Sequence, residues 1–168
     1  MSQLKVNSIV PVGGLPSGAN GGILQVVQAV KVDQASFNST SFADVSGLSA
    51  SITPSSSSSK ILCTCSLYVS RDDGGSTTKI NFVRGSTNIG QPTGSSTTHQ
   101  ATMFMYTTSE LMFPITQVFL DSPATTSATT YKIQIGQDST TKTTYINRWW
   151  NGNSYHGIST LTLYEVTA

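Results

Sequence analysis

Two-residue alternation, and no longer period, governs this chain. Along Ile61-Leu62-Cys63-Thr64-Cys65-Ser66-Leu67-Tyr68-Val69, one parity carries Ile61, Cys63, Cys65, Leu67 and Val69, and the other Leu62, Thr64, Ser66 and Tyr68. Successive side chains of a β-strand point to opposite faces, so this spacing predicts a strand. No long stretch places apolar residues at i, i+3, i+4 and i+7, and the best helix formers are scarce. Short runs rich in Val, Ile, Thr, Tyr and Phe recur instead between clusters of Ser, Gly, Asp, Asn and Pro, which is the pattern of an all-β sandwich or barrel.

The same reading extends along the chain. Leu24, Val26, Val30 and Val32 alternate from Ile23 to Asp33, with Gln28 interrupting the apolar face. Leu48, Ala50 and Ile52 alternate with Ser49, Ser51 and Thr53, a half-buried strand. Arg71-Asp72-Asp73-Gly74-Gly75 is read as a hairpin turn. Ile80 and Phe82 anchor a strand from Thr77 to Arg84, and Gly85 to Gly90 is read as its continuation past a bend. Gln100 to Tyr106 and Leu111 to Leu120 follow, with Pro114 marking an edge or a bulge. Tyr131, Ile133 and Ile135, then Thr143 to Asn147, then Ile158 to Val166 bring the total to roughly nine strands, enough for two packed antiparallel sheets. In the last of these Ile158 lies on one face and Leu161 and Leu163 on the other, which suggests burial on both sides, within a sandwich or against a second subunit.

Domain organisation follows from proline and glycine. Pro11-Val12-Gly13-Gly14-Leu15-Pro16 and Asn20-Gly21-Gly22 cannot hold a central strand, so residues 1–22 read as an extended arm and linker, and residues 23–168 as one sandwich domain. Within the arm, Leu4, Val6, Ile9 and Val10 are the apolar residues available for docking. Met1 to Pro16 lacks the apolar stretch of a secretion signal, and no apolar run reaches the ~18 residues of a membrane-spanning helix.

Only 10% of the residues are charged, with a formal net charge of +1. Typical domains carry about 25% charged residues, and here the difference is taken up by roughly 50 Ser and Thr. Without a Lys/Arg cluster, phosphate-backbone binding is not expected, and no nucleic-acid partner is read. Hydroxyl-rich strands stay soluble without charge but leave neutral sheet edges that invite pairing, which favours a homo-oligomer.

Chemistry-bearing groups are few. Cys63 and Cys65, the only cysteines, would lie parallel about 6.5 Å apart on one face of a strand, a poor geometry for a disulfide and an incomplete zinc set, so they read as small buried apolar residues. His99 and His156 are the only histidines, and Glu110 and Glu165 the only glutamates. No nucleophile elbow, zincin motif or phosphate-cradling loop occurs. Asp72, Asp73, Asp121 and Asp138 fall in expected turns, where Asp serves backbone hydrogen bonding. Asn38-Ser39-Thr40 matches a glycosylation sequon that a Ser/Thr-rich chain supplies by chance. No catalytic residue, metal ligand or cofactor is therefore assigned, and the chain is read as non-enzymatic.

One loop stands out. Asn147-Arg148-Trp149-Trp150-Asn151-Gly152-Asn153-Ser154-Tyr155-His156-Gly157 holds both tryptophans in a stretch too rich in Gly and Asn for a core strand. Arg148, Trp149, Trp150, Asn151, Asn153, Tyr155 and His156 are the candidate receptor-contact residues, since aromatics flanked by amides suit recognition of a sugar or protein surface. The competing reading has the tryptophans closing one end of the sandwich or packing between subunits. Met103-Phe104-Met105-Tyr106 and Met112-Phe113 read as core or interface filling.

Several segments resemble virion proteins of tailed bacteriophages, cyanophages especially: Leu4 to Ile9, Phe42 to Pro54 with Ser59-Lys60-Ile61-Leu62, Val83 to Gly90, Phe119 to Thr126, Thr130-Tyr131-Lys132, and Ser159 to Val166. Together they touch about half of the chain, in agreeing order. The resemblance implies a non-enzymatic structural protein of the virion, tail-fibre-like, with a jelly-roll-like β-sandwich head that assembles as a homotrimer. It also implies an N-terminal arm that docks on other virion proteins. It carries over no catalytic residue and does not include the tryptophan loop. Two roles stay open: an appendage attaching to a host glycan or protein, and a capsid decoration that stabilises the particle.

Overall fold

In the computed structural model, residues 22–72, 75–94, 100–107, 111–152 and 154–167 are described. The arm residues Leu4, Val6, Ile9 and Val10, together with Asp73, His99, Glu110 and Asn153, lie outside them. The strands are β1 (Ile23–Lys31), β2 (Ala35–Phe37), β3 (Ala43–Ile52), β4 (Lys60–Arg71), β5 (Ser76–Arg84), β6 (Thr87–Ile89), β7 (Met103–Thr107), β8 (Met112–Asp121), β9 (Thr129–Gln137), β10 (Thr144–Ile146) and β11 (Ser159–Val166). All pairing is antiparallel, in two sheets. In the first, β4 is flanked by β8 on one edge and on the other by β11 and then β10, with β1 beyond β11 and β2 beyond β10. In the second, β9 lies between β3 and β5, whose far edge is shared by β7 and β6.

The core lies between the sheets. From the first come Ile61, Cys63, Cys65, Leu67 and Val69 of β4 with Leu161 and Leu163 of β11, and from the second Leu48, Ala50, Ile52, Ile80, Phe82, Tyr131, Ile133 and Ile135, all buried. Each such aliphatic side chain contributes about 1.5–3 kcal/mol by leaving water.

The structure corrects the strand reading in five places. Arg71 to Gly75 does not close a hairpin: β4 and β5 belong to different sheets, so the chain passes here from one sheet to the other. Residues 85–90 do not prolong β5 but reverse at Gly85 (φ 58°) and pair back as β6, Val83 opposite Asn88. Ala35–Phe37, three residues on β10, gave no periodic signal. Asp121 is no turn residue but the buried end of β8, where it accepts hydrogen bonds from Arg84 and Tyr131. Ile158 is exposed and precedes β11, whose outward parity carries Thr160, Thr162, Tyr164 and Val166, so Ile158 does not give that strand a second buried face. Pro114 does sit on an edge strand, opposite Tyr68.

The two outer faces differ. On the second sheet Asp44 pairs with Lys132 at 2.8 Å and accepts from Gln134, and Ser51 bonds Thr130. On the first, cross-strand rows run Val26–Tyr164–Leu62–Leu120, Gln28–Thr162–Thr64–Val118 and Val30–Thr160–Ser66–Thr116, with no charge among them. The alternating Leu24, Val26 and Val30 of the sequence pattern point outward here, about half exposed, while Val27 and Ala29 pack on the core.

Candidate functional site

The tryptophan loop leaves β10 at Asn147 and returns at Gly157. Asn147 is fully buried with φ 60°, a left-handed conformation that Asn tolerates better than most residues. Its Nδ2 donates to the carbonyls of Lys31 (2.8 Å) and Asp33 (3.0 Å), and its Oδ1 accepts from Ser159 Oγ at 2.7 Å. Its backbone N–H donates to Tyr68, and its carbonyl accepts from Gly157. One residue thus ties the loop to β1 and β11 through its side chain and to β4 through its backbone. Ser70 Oγ adds a hydrogen bond to the Arg148 carbonyl at 2.7 Å.

The loop is pinched rather than open. Arg148 and His156 form an antiparallel bridge, and Trp149 N–H donates to the Tyr155 carbonyl at 3.1 Å. The Trp149 and Tyr155 rings meet edge to face, 6.1 Å between centroids at 77°, the arrangement aromatic quadrupoles prefer. Gly157 lies directly on Tyr68: a Cβ there would stand 2.5 Å from Tyr68 Cγ, so the return leg seats on the ring only because it is glycine.

Between these parts runs an open groove of about 550 Å³ lined by Tyr68, Met112, Trp149, Tyr155 and His156. An adjoining recess of about 460 Å³ is lined by Val32, Tyr68, His156, Gly157 and Ile158. Both volumes fall in the range of small-ligand sites, roughly 300–1,000 Å³. The lining offers aromatic faces with hydroxyl and imidazole groups at their rims, and His156 Nδ1 lies 3.0 Å from Gln34 Nε2. Such a surface can stack a flat apolar face and hydrogen-bond its polar edge.

The receptor-contact candidates read from the sequence separate accordingly. Trp149, Tyr155 and His156 line the groove. Arg148 instead braces the loop: its guanidinium stacks on Tyr145, 4.5 Å from the centroid, and donates to the carbonyls of Trp149 and Trp150. Trp150 is half-buried and does not line the groove, and its Nε1 is buried with no hydrogen-bond partner among the described residues. Asn151 is exposed beside the loop tip, off the lining. Tyr68, Met112, Val32 and Ile158 are contributed by other segments. Their only sequence signal is an apolar or aromatic residue on the parity of a strand that does not face the core.

Asp72, Asp121, Asp138 and Glu165 are each engaged locally. Asp72 Oδ1 accepts from Thr143 N–H at 2.8 Å. Asp138 accepts from Ser76 Oγ and from Thr77 N–H; burial pushes its carboxyl up, but these bonds outweigh it and hold the group below its ordinary range. Burial likewise pushes the Glu165 carboxyl up, yet hydrogen bonds from Gln25, Ser55 and Ser59 bring it down to about 2. Tyr131 donates to Asp121 at 2.7 Å, and burial with that bond raises its hydroxyl. These are structural anchors. No protein-family model matches the sequence, and no curated protein is significantly similar to it.

Proposed function

We propose that the chain is a non-enzymatic structural protein of a bacteriophage virion, the head of a tail-fibre-like appendage that attaches to the host surface. The observation that carries this reading is polarity along one sheet. Residues before Ile23 join the domain where Ile23 pairs with Val166, whereas Val32, Tyr68 and Ile158 bring the aromatic groove to the opposite end of β1, β4 and β11. Those ends stand about 27 Å apart, eight residues at the strand rise. An arm with Leu4, Val6, Ile9 and Val10 docked on other virion proteins would therefore hold the groove away from the particle.

The strand order supports a jelly roll. With the three-residue strands set aside, β1-β11-β4-β8 faces β3-β9-β5-β7, and the chain passes between the sheets as in paired Greek keys. A homotrimer of such heads presents three grooves, and weak contacts gain strength from their raised effective concentration. The groove's ligand is a host-surface glycan or protein epitope, and no cofactor, nucleic acid or membrane insertion enters the mechanism.

The test uses the full chain, fluorescently labelled, against a panel of cyanobacterial cells and their immobilised envelope polysaccharides. Trp149→Ala with Tyr155→Ala should lower binding about tenfold or more while the thermal melt stays in place. Undiminished binding by the double variant would overturn the reading. A second reading, a capsid decoration, is favoured by the uncharged outer face of the first sheet, which suits packing onto a particle. It expects Val26→Lys with Val118→Lys to weaken virions and Trp149→Ala with Tyr155→Ala to leave adsorption unchanged, and imaging of the chain on intact particles separates the two.

A further inference from the structure

We infer that the outer face of the first sheet, the one carrying Val26, Val30, Val118 and Leu120, is where copies of this chain pack on one another. Val26, Val118 and Leu120 are each just over half exposed, and Leu24 and Val30 nearly so. Between these two aliphatic margins the face is floored by Thr162, Thr64, Thr160 and Ser66, with Leu62 and Tyr164 at one end. Among the described residues the first charge met is Lys60, at the corner beside Val166, where it donates to Ser122.

Three observations point to a second copy as the occupant. Burying this face strips water from no charge, whereas the opposite sheet would have to desolvate the Asp44–Lys132 pair. The sequence alternates on β1 as though Leu24, Val26 and Val30 were core, yet within one subunit that parity faces water and Val27 and Ala29 face in. Finally, the area suffices. Four strands about 4.8 Å apart over about eight residues cover roughly 500 Å² of flat sheet per copy, about 1,000 Å² over two copies before side-chain relief, which reaches the ~1,000 Å² floor of a specific interface. Exposed aliphatic side chains gathered on one uncharged face mark association sites. Hydroxyls in the middle, paired across strands as Gln28 is with Thr162 at 2.8 Å, keep the separated subunit soluble.

Sedimentation velocity and light scattering on the full chain at micromolar concentration test this. The wild type should run as a stable assembly. Val26→Lys with Val118→Lys should run as a monomer with an unchanged β-type circular-dichroism spectrum. Ser51→Lys, on the outer face of the other sheet, should keep the wild-type mass. If the lysine pair fails to fold, Val26→Thr with Val118→Thr keeps strand propensity and should weaken association about tenfold or more. A monomeric wild type overturns the inference, and so does an assembly that survives these substitutions. Self-association through this face is independent of attachment through the groove, since Trp149→Ala with Tyr155→Ala should assemble normally.

Discussion

Replacing Asn147 by alanine tests whether one buried amide holds the groove in place. The substitution removes two hydrogen bonds from Nδ2 and one to Oδ1, leaving the carbonyls of Lys31 and Asp33 and the hydroxyl of Ser159 without that partner. Each is worth about 1 kcal/mol in a buried setting. Alanine at φ 60° adds the steric cost of the left-handed region, about 1 kcal/mol or slightly more. The sum is about 4 kcal/mol, a fall of roughly 8–16 °C in Tm for a chain of this size. Asn147→Gly relieves the backbone strain but loses the same three bonds, so it should cost about 3 kcal/mol. Urea unfolding of the three proteins gives both numbers, and near-ultraviolet circular dichroism reports whether the Trp149–Tyr155 pair keeps its geometry. A loss below about 1 kcal/mol for Asn147→Ala would refute the idea that this residue roots the loop.

Two further expectations follow from the buried acid and thiols. Glu165 has its folded pKa lowered from 4.5 to about 2, so its contribution is present above pH 4.5 and is lost as pH falls toward 2. Allowing for solvent screening, that contribution is about 2 kcal/mol; Glu165→Gln should flatten the acid limb of a stability-versus-pH curve, and parallel curves for the two proteins would contradict this. Cys63 and Cys65 are buried and free, and burial pushes both thiols up to about 12. They should resist a thiol-specific disulfide reagent at pH 8 in the folded protein and react fully in denaturant, so rapid reaction under native conditions would place them nearer the surface.

The long strands were legible because one side of each lies on a single core. In β4, Ile61 to Val69 show the parity of a half-buried strand, and the same holds for Leu48 to Ile52 and Tyr131 to Ile135. The short strands were not: Ala35–Phe37 and Thr87–Ile89 span too few residues for any period, and neighbours across the ladder alone define them. Of the candidate site, Trp149, Tyr155 and His156 could be picked out as aromatics in a Gly- and Asn-rich loop. Tyr68 could not, because on β4 it looks like any other outward residue until Gly157 is laid upon it. Arg148 was legible as a charge in the loop, but its stacking on Tyr145 could not be read from the sequence.

Taken alone, then, the order of residues determined that this chain forms antiparallel ribbons, where most of them run, and which parity of β4, β3 and β9 faces inward, since alternation is a local property of the backbone. It left undecided which sheet each ribbon joins, so a turn such as Arg71 to Gly75 could be taken for a hairpin when the chain there passes from one sheet to the other. On β1 it pointed to the wrong side: Leu24, Val26 and Val30 read as the apolar face, yet they face outward on a strand that is apolar on both parities. Only packing chose Val27 and Ala29 for the interior, because a strand with two apolar sides is oriented by its neighbours and not by its own pattern.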